Sequence, residues 1–565
     1  MSATAETDAS SSGELSHKQI LTILSGLMLG MFLASLDQMI VSTAIRTIGD
    51  DLHGLSAQAW VTTAFLITST ISTPLYGKLS DIYGRKPLFL FAITIFISGS
   101  ALCGLSSSMY MLAGFRAFQG LGAGGLMSLA FAIIGDIIAP RERAKYQGYF
   151  MAVFATSSVL GPVAGGFFAG SPDFLGITGW RWIFWINVPI GILALVVVTK
   201  VLKIEHHRHE HRIDWWGALM LVVGLVPLLV VAEQGQQWGW TSTASLACYV
   251  IGIAGLAAFI WVQDKMGDEA LIPLRLFKNG VFSVGSAQSF VIGIGMFGGM
   301  MSIPLYLQIV KGASPTKAGL LLLPMVAGMM VASLSSGIYT AKTGRYKIFP
   351  VMGSIALITG LGLLSTVQAD SGLLRTDLYM LVFGVGLGLS MQAIVLAMQN
   401  AVPPSDMGVA TSTTTFFRQV GGTLGAAIFL SILFSSAGSK IKSAYESAAG
   451  TPAFLRAAAA HPDQAHALTT GSVNLNDTQF LSTLDPVLAH PYLVGFSNSM
   501  DLVFLVGAGV LVFALILSLM LKEIPLRMVS GLQAARDLAA AQDADALDAG
   551  GATHEPEVKT PSLLK

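Results

Sequence analysis

Charged residues are scarce in this chain, and their scarcity is the first guide to its class. Asp, Glu, Lys and Arg make up only 11% of the 565 residues, whereas ordinary soluble domains carry about 25%. In contrast, 53% of the residues are hydrophobic. Because such a chain cannot hide its apolar surface in one water-soluble core, we expect a polytopic membrane protein that contacts the lipid bilayer.

Other features are rare or missing, and each excludes a class of protein. The two cysteines, Cys103 and Cys248, fall inside apolar runs, which indicates neither a disulfide framework nor a metal site. The formal net charge is zero, so nothing points to nucleic acid as a partner. The sequence shows no G-x-x-x-x-G-K-[ST] phosphate-binding loop and no Ser/His/Asp or metal constellation. We therefore expect neither a single-chain ATP-driven pump nor an enzyme, and no cofactor.

Long apolar runs dominate the chain. A hydrocarbon core about 30 Å thick needs a helix of about 20 apolar residues, and fourteen runs reach this length. Six lie in the first half, at about 20–45, 57–76, 87–107, 110–135, 146–169 and 182–201. A middle pair lies near 215–234 and 244–263. The last six lie at about 282–306, 318–340, 348–366, 377–400, 410–434 and 498–521. The even number of runs predicts that both termini lie on the same side of the membrane.

Basic residues orient these spans. The short loops on the side of the termini carry most of the loop Lys and Arg residues, whereas the opposite short loops carry only five, namely Arg46, Arg181, Lys311, Lys317 and Arg375. By the positive-inside rule, both termini are expected in the cytoplasm, with the protein in the plasma (inner) membrane. Residues 1–18 are polar and precede no short apolar stretch with a cleavage site, which indicates a cytoplasmic tail rather than a signal peptide.

The runs and the polar stretches between them divide the chain into five parts. The loop within the fourth part is polar and Ala-rich and has no readable fold, and the last part is Ala/Asp-rich. The expected parts are a tail over 1–18, a six-helix bundle over 19–204, a connector with two inserted spans over 205–270, a second six-helix bundle over 271–521 that includes an extracytoplasmic loop at 436–497, and a cytoplasmic tail over 522–565.

Two segments of the first half recur in the second. The stretch Gly77–Lys86 (GKLSDIYGRK) has a weaker copy, Gly337–Tyr346 (GIYTAKTGRY), 260 positions later. Pro140–Arg143 and Pro403–Asp406 link corresponding spans 263 positions apart. Internal duplication of this kind is typical of membrane transporters.

Four signatures accompany this repeat, and with them the chain resembles the major facilitator superfamily, specifically its fourteen-span drug:proton antiporters. The resemblance implies an all-α membrane protein with two pseudo-symmetric six-helix bundles and two inserted linker helices. The matching positions are 36–44 (LDQMIVSTA) in the first span, Gly77, Leu79, Asp81, Gly84, Arg85 and Lys86 in the loop, Arg116, Gln119, Gly120, Gly122 and Gly124 in the fourth span, and Gly148, Gly161, Pro162, Gly165 and Gly166 in the fifth.

The chain departs from the family pattern at three positions. Arg46 stands where the family commonly has proline, and Ser157 replaces a glycine of the fifth-span signature. Ala341 stands in the second loop where Asp81 stands in the first.

Three ionisable residues lie deep inside predicted spans. From the helix rise, Asp37 lies about 12 Å and Arg116 about 9 Å below the outer surface, so a pair between them is geometrically feasible. Burial raises the pKa of a carboxyl group and a nearby guanidinium lowers it. The resemblance implies that Asp37 carries the coupling proton and that the charge of Arg116 opposes protonation of Asp37. The alternative is a static ion pair. Arg418 is expected either to contact substrate or to bind backbone carbonyl groups.

The loop and the fifth span carry two further predictions. The first is a conformational latch formed by Gly77, Asp81, Gly84, Arg85, Lys86 and Arg143, for which the alternative is that the charges only set topology. The second is an antiporter hinge formed by Gly161, Pro162, Gly165 and Gly166, for which the alternative is close helix packing.

A flexible, polarizable surface is predicted for the substrate cavity. Methionines of the ninth and tenth spans, Met296, Met300, Met301, Met325, Met329 and Met330, would accept dissimilar lipophilic molecules, but they could equally be core or lipid-facing residues. The candidate cavity residues are Gln38, Gln119, Phe297, Met300, Gln308 and Arg418. The histidine-rich run 206–211 is read as a solvated linker rather than a metal site.

These observations together predict a proton-coupled antiporter that exports lipophilic or cationic small molecules by alternating access, with the proton as its coupling ion. Multidrug efflux and drug resistance would follow, and a monomer would suffice. An exporter of one native metabolite, lipid or siderophore is an alternative that the sequence does not separate from it. A non-transporting membrane receptor or scaffold is a further alternative.

Overall fold

The computed structural model describes residues 17–53, 58–171, 173–202, 213–403, 406–464 and 484–527, and these residues are almost entirely helical. The only strands among them are β1 (Asp173–Phe174) and β2 (Ile177–Thr178), which pair in antiparallel fashion. Long apolar sequences without interrupting charges explain the helices, because backbone groups in a lipid environment must be satisfied within the segment itself.

Seven helices form the first half. The sixth span is broken into α6 and α7, and the helices alternate in direction through the bundle. Their bounds are α1 His17–Asp51, α2 Gln58–Tyr83, α3 Arg85–Cys103, α4 Met109–Ile137, α5 Pro140–Ala169, α6 Trp182–Trp185 and α7 Asn187–Val201. We call the end of the bundle where α1 begins the near face, and the opposite end the far face.

Ten further helices complete the described chain. Two of them lie between the halves in sequence, α8 Trp215–Trp238 and α9 Thr243–Met266. The remainder are α10 Gly280–Leu305, α11 Pro315–Leu321, α12 Leu323–Thr343, α13 Ile348–Leu364, α14 Leu373–Ala401, α15 Met407–Ala449, α16 Pro452–Ala460 and α17 Pro486–Met520.

Small residues let the helices of each half approach closely. On α4, a Cβ at Gly120 or Gly124 would collide with backbone carbonyl oxygens of α2. On α15, a Cβ at Gly421 or Gly425 would collide with carbonyl oxygens of α10. Glycine at these contacts permits backbone-to-backbone packing, which is how helices associate inside a membrane.

The inserted helix α8 lies against the seam between the two halves. Leu221, Leu225 and Leu229 of α8 form one buried apolar cluster with Ile67 and Ile71 of α2 and with Phe416 and Val420 of α15. We call this cluster the seam patch. It places the inserted helices beside the line along which α2 meets α15.

Twelve helical segments of the described chain are long and apolar enough to cross a membrane. Helix α2 is not among them, and α13 has only 17 residues. Eight of the 26 residues of α2 are Ser or Thr, and these residues lower its hydropathy. The count of fourteen spans therefore remains a prediction.

The stretch 436–497, expected as a loop with no readable fold, is mostly helical in the residues that the structure describes. Helix α15 runs on to Ala449, α16 follows, and α17 already begins at Pro486. The reason is composition, since alanine has the highest helix propensity and this stretch is Ala-rich. Residues 465–483 lie outside the described part of the chain.

Three other predictions fall on residues that are not described: most of the tail 1–18, the histidine run 206–211, and the tail beyond residue 527. The beginning of the second tail is described and is not helical. Arg527 donates to the carbonyl of Val402 at 2.8 Å, and the amide of Ile524 donates to the hydroxyl of Tyr346 at 3.0 Å. This segment therefore packs onto the near face of the second half.

Candidate functional site

Asp37 lies in the middle of α1 and is completely buried. Its Oδ1 accepts hydrogen bonds from Nε2 of Gln119 at 2.9 Å and from Nδ2 of Asn187 at 3.0 Å. Its Oδ2 accepts from Nη1 of Arg116. Three donors from two other helices therefore surround one carboxyl group inside the first half.

Helix α4 supplies two of these donors because residues three apart share a helix face. Arg116 and Gln119 also contact each other, since Nη1 of Arg116 donates to Oε1 of Gln119 at 2.8 Å. The guanidinium lies over the ring of Phe65, 3.9 Å from its centroid. Gln119 thus bridges the two charges, accepting from the cation and donating to the anion.

Asn187 begins α7 and completes the group, which we call the Asp37 network (Asp37, Arg116, Gln119 and Asn187). Its amide also donates to Oγ of Ser100 at 3.1 Å, and that hydroxyl donates to the carbonyl of Phe184 at 2.8 Å. Two atoms of the network, Nε of Arg116 and Oδ1 of Asn187, have no hydrogen-bond partner among the described residues. The network therefore retains capacity for one more acceptor and one more donor.

Asp37 and Arg116 are in contact, as their estimated depths allow. Gln119, which was expected to line the substrate cavity, instead belongs to the Asp37 network. Asn187 was missed, because the sequence was searched for ionisable groups in the spans and an amide carries no charge. A polar side chain at the start of the apolar helix α7 was the available signal, since a buried amide must find partners.

The predicted latch residues lie on the near face, and part of them contacts the second half. Arg85 pairs with Asp81 at 2.6 Å and with Asp136 at 2.7 Å. A Cβ at Gly408 of α15 would collide with the carboxylate of Asp81, and one at Gly77 would collide with Ser412. Asp81, which lies beyond the predicted span 57–76, has its pKa raised to about 6 by burial, against the opposing effect of Arg85.

The other latch residues have separate contacts. Gly84 has φ +94°, a conformation that favours glycine and joins α2 to α3. Lys86 donates to the carbonyl of Thr199 on α7 at 2.8 Å, within the same half. Arg143 donates to the carbonyl of Ile138 at 2.8 Å and to Oε1 of Gln399 on α14, and burial lowers its pKa to about 9. Arg143 thus links the halves through an amide rather than through Asp81.

A second near-face contact joins the halves through the segment that follows α9. Both oxygens of Asp406, just before α15, accept from Arg275, at 2.9 and 3.0 Å. Arg275 also pairs with Asp268, whose backbone carbonyl accepts from Nζ of Lys78 at 2.9 Å. We call Lys78, Asp268, Arg275 and Asp406 the near-face clasp. The sequence analysis gave the two basic residues of the clasp no role beyond orientation.

The predicted hinge residues are packing positions in the structure. A Cβ at Gly161 would collide with the Cβ of Met39 on α1, and one at Gly165 would collide with the carbonyl oxygen of Ile40, within one helical turn of Asp37. On another side of α5, Pro162 contacts Gly319 of α11 in the second half. Helix α5 therefore touches both the helix of the buried acid and the opposite half, a placement consistent with either the hinge or the packing interpretation.

The predicted cavity residues do not form one cluster. Met296, Met325 and Met329 belong to the buried core of the second half, and Met300 packs against it. The ring of Phe297 packs against Gly422 of α15, so closely that a Cβ at Gly422 would collide with it. Gln308 is exposed near the far face, and Gln38 is half-buried. The core interpretation therefore holds for the first three methionines.

Comparison with known proteins identifies the family. Residues 27–426 match the family model described as Major Facilitator Superfamily. Multidrug transporter protein MdtP of Bacillus subtilis is 35% identical over 430 residues, which cover 76% of this chain and 78% of that protein. An uncharacterised MFS-type transporter of Mycobacterium tuberculosis is 36% identical over 508 residues, which cover 89% of this chain and 70% of that protein.

Solved structures agree on the fold. The proton:xylose symporter XylE superposes with a TM-score of 0.58 at 15% identity, over 92% of this chain and 99% of that one. The human organic anion transporter MFSD10 superposes with a TM-score of 0.57 at 13% identity, over 88% and 99%. The chain belongs to the major facilitator superfamily and is a multi-pass membrane transporter rather than an enzyme.

Proposed function

We propose that this transporter exports lipophilic small molecules in exchange for protons, with Asp37 as the proton-carrying group. The Asp37 network carries the proposal, because an ionisable residue inside a membrane span is a functional-site hypothesis by default. Relatives that are named multidrug transporters support the choice of lipophilic substrates. We further propose fourteen spans, with the near face and both termini in the cytoplasm.

The network can accommodate both charge states of Asp37. With Asp37 ionised, Arg116, Gln119 and Asn187 all donate to it. When Asp37 takes up a proton, Arg116 stays charged because guanidinium remains protonated at any relevant pH. It keeps the carbonyl of Gln119 and the face of Phe65 as partners, which reduces the cost of the protonated state.

Proton gradients supply enough energy for this exchange. A potential of about 100 mV contributes about 2.3 kcal/mol per charge, and one pH unit contributes about 1.4 kcal/mol. Together they sustain a gradient of roughly several hundredfold for a neutral solute at one proton each. No ATP-binding loop is required.

The direct test is transport by the wild-type protein in proteoliposomes. A lipophilic dye should move out of the compartment that the near face contacts only when protons are allowed to flow the other way, and a protonophore should stop it. Dye movement at the same rate with or without a proton gradient, and with or without the protonophore, would contradict proton coupling. Absence of movement for an entire dye panel would contradict multidrug export.

Opening of the near face must break the latch and the near-face clasp. Arg275→Gln removes the paired hydrogen bonds to Asp406, worth about 1 kcal/mol at this half-exposed site, and should populate the open form about fivefold more. Opening is measured with the variant Ser412→Cys in a Cys248→Ser background. Ser412 is buried against Gly77, so a membrane-impermeant maleimide reaches this position only when the near face opens. Labelling should be about fivefold faster.

The matched control for this variant is Arg345→Gln, which removes an exposed near-face charge outside the clasp. It should leave the labelling rate unchanged. Equal rates in the Arg275 and Arg345 variants would show that the clasp does not hold the near face closed.

A further inference from the structure

Arg418 is a cation inside the helix bundle without a partner in the described chain. It lies on α15, and its side chain is half-buried. No carboxylate, side-chain acceptor, backbone carbonyl or aromatic ring among the described residues contacts its guanidinium. The carbonyl-binding alternative that the sequence offered for Arg418 is therefore absent from the described contacts.

The position of Arg418 on α15 shows which way this cation faces. Thr411, Arg418 and Gly422 are spaced at seven and four residues, so they share one face of the helix. At one end of this face Thr411 accepts a hydrogen bond from Gln399 of α14 at 2.8 Å, and at the other Gly422 contacts Phe297 of α10. Arg418 thus faces the interior of the bundle.

The opposite face of α15 confirms this orientation. Phe416 and Val420 belong to the seam patch with Leu221 and Leu225 of the inserted helix α8. That side is filled with apolar side chains. Arg418 lies on the other side of the helix, the side that carries Thr411 and Gly422.

Gln419 adds a second polar group at the same level. Its Oε1 accepts from Oγ1 of Thr73 on α2 at 3.2 Å, across the seam between the halves. Its amide nitrogen donates no described hydrogen bond and is available as a donor. The two neighbouring residues thus offer a guanidinium and an amide where the halves meet.

A guanidinium without a counter-ion is costly inside a membrane, and its planar set of five donors matches a carboxylate. Asp37 cannot serve, because Arg116, Gln119 and Asn187 already occupy it. The described chain therefore supplies no partner for this cation, and an acidic group from outside it would fit. Phe297, which packs against Gly422 one turn further along α15, supplies an apolar surface on the same helix face.

We propose that Arg418 binds an acidic group of the transported molecule, so that the preferred substrates are amphipathic anions with a carboxylate or sulfonate on an apolar body. This inference rests on the proposed export function and specifies its substrate class. It replaces the cationic class that the sequence predicts for the substrate.

The test compares three probes that differ only in charge: 1-pyrenebutyrate, 1-pyrenebutanol and 1-pyrenebutyl-trimethylammonium. Binding to the purified full-length protein is measured through energy transfer from tryptophan to pyrene. We expect the wild type to bind the acid about 10-fold or more tightly than the alcohol, because a charge-assisted hydrogen-bonded pair contributes on that order. The cation should bind most weakly.

Arg418→Gln should remove the preference for the acid and leave the alcohol within about twofold, whereas Arg418→Lys should retain part of the preference because it keeps the charge. The control is Arg456→Gln on α16, which removes an exposed arginine at the far end of the molecule. It should bind all three probes as the wild type does.

Two outcomes would overturn the inference: a wild type that binds the alcohol or the cation at least as tightly as the acid, or an Arg418→Gln variant that keeps the full preference for the acid. The wild-type comparison stands even if the variant fails to fold. Proton-driven transport of the neutral or cationic probe without the acid would refute the inference but keep the proposed export. Transport of none of them would refute the export function itself.

Discussion

Asp37→Asn should abolish proton-driven accumulation and leave substrate-for-substrate exchange intact. Asparagine keeps the size of the side chain but cannot release or bind a proton, so it holds the site in a neutral state. With a gradient of one pH unit and one proton per cycle, the wild type should reach about tenfold accumulation and the variant about equal concentrations. Proton-driven accumulation and substrate-for-substrate exchange are both measured in proteoliposomes with a fluorescent dye.

Helix α1 provides the matched control for this experiment. Asp50 lies on the same helix, 13 residues further along and exposed at the far face. Asp50→Asn should behave as the wild type in both assays. Gradient-driven accumulation that survives in Asp37→Asn would assign the proton to another residue and leave the buried network a structural role.

Arg116→Gln should destabilise the protein strongly, whereas Asp37→Asn should relieve that effect. Removing the cation leaves a completely buried carboxylate with only two amide donors. Breaking a buried ion pair from one side costs about 3–5 kcal/mol, because the remaining charge is uncompensated. The double variant has no charge left to compensate, so its thermal unfolding temperature in detergent should return most of the way to that of the wild type.

The double-variant comparison separates pairing from simple loss of packing. If Arg116 only fills space against Phe65, the two single effects should add. Additive losses would therefore contradict the coupling between the two charges. Lys in place of Arg116 should rescue stability only in part, since an ammonium group cannot reproduce the contacts to Asp37, Gln119 and the Phe65 ring together.

The sequence showed that a pair between Asp37 and Arg116 is feasible, because intramembrane charges are rare and a helix has a fixed rise per residue. It missed the partners that carry no charge or lie just outside the apolar runs. Asp136 follows the predicted end of the fourth run by one residue and pairs with Arg85, and Asp406 was noted only as part of a repeated loop. Such contacts depend on which helices become neighbours, which single-helix patterns do not encode.

Helix ends show a second limit of the sequence. The apolar run of α15 ends near residue 434, but the helix continues to Ala449, paired along its length with α17. A hydropathy pattern reports where lipid ends, whereas helix propensity and packing determine where the helix ends. The same difference explains why α2, rich in Ser and Thr, is a full helix without a strongly apolar profile.

The residues proposed for substrate contact were the least predictable part. The sequence left the methionines open as cavity, core or lipid-facing residues, and Met296, Met325 and Met329 belong to the buried core. The sequence left two roles open for Arg418, and the substrate role proposed above depends on its face of α15 and on the lack of partners among the described residues. Side-chain direction relative to neighbouring helices was the missing information.

The seam patch affects how the two halves can move against each other. Its contacts between α2, α8 and α15 are made by Ile, Leu, Phe and Val side chains only. Apolar attraction depends on the area that is shielded and has no preferred direction, so these surfaces can slide past one another without breaking a bond. In the opening of the near face proposed above, the contacts of α8 would therefore oppose sliding less than the ionic contacts of the near-face clasp do.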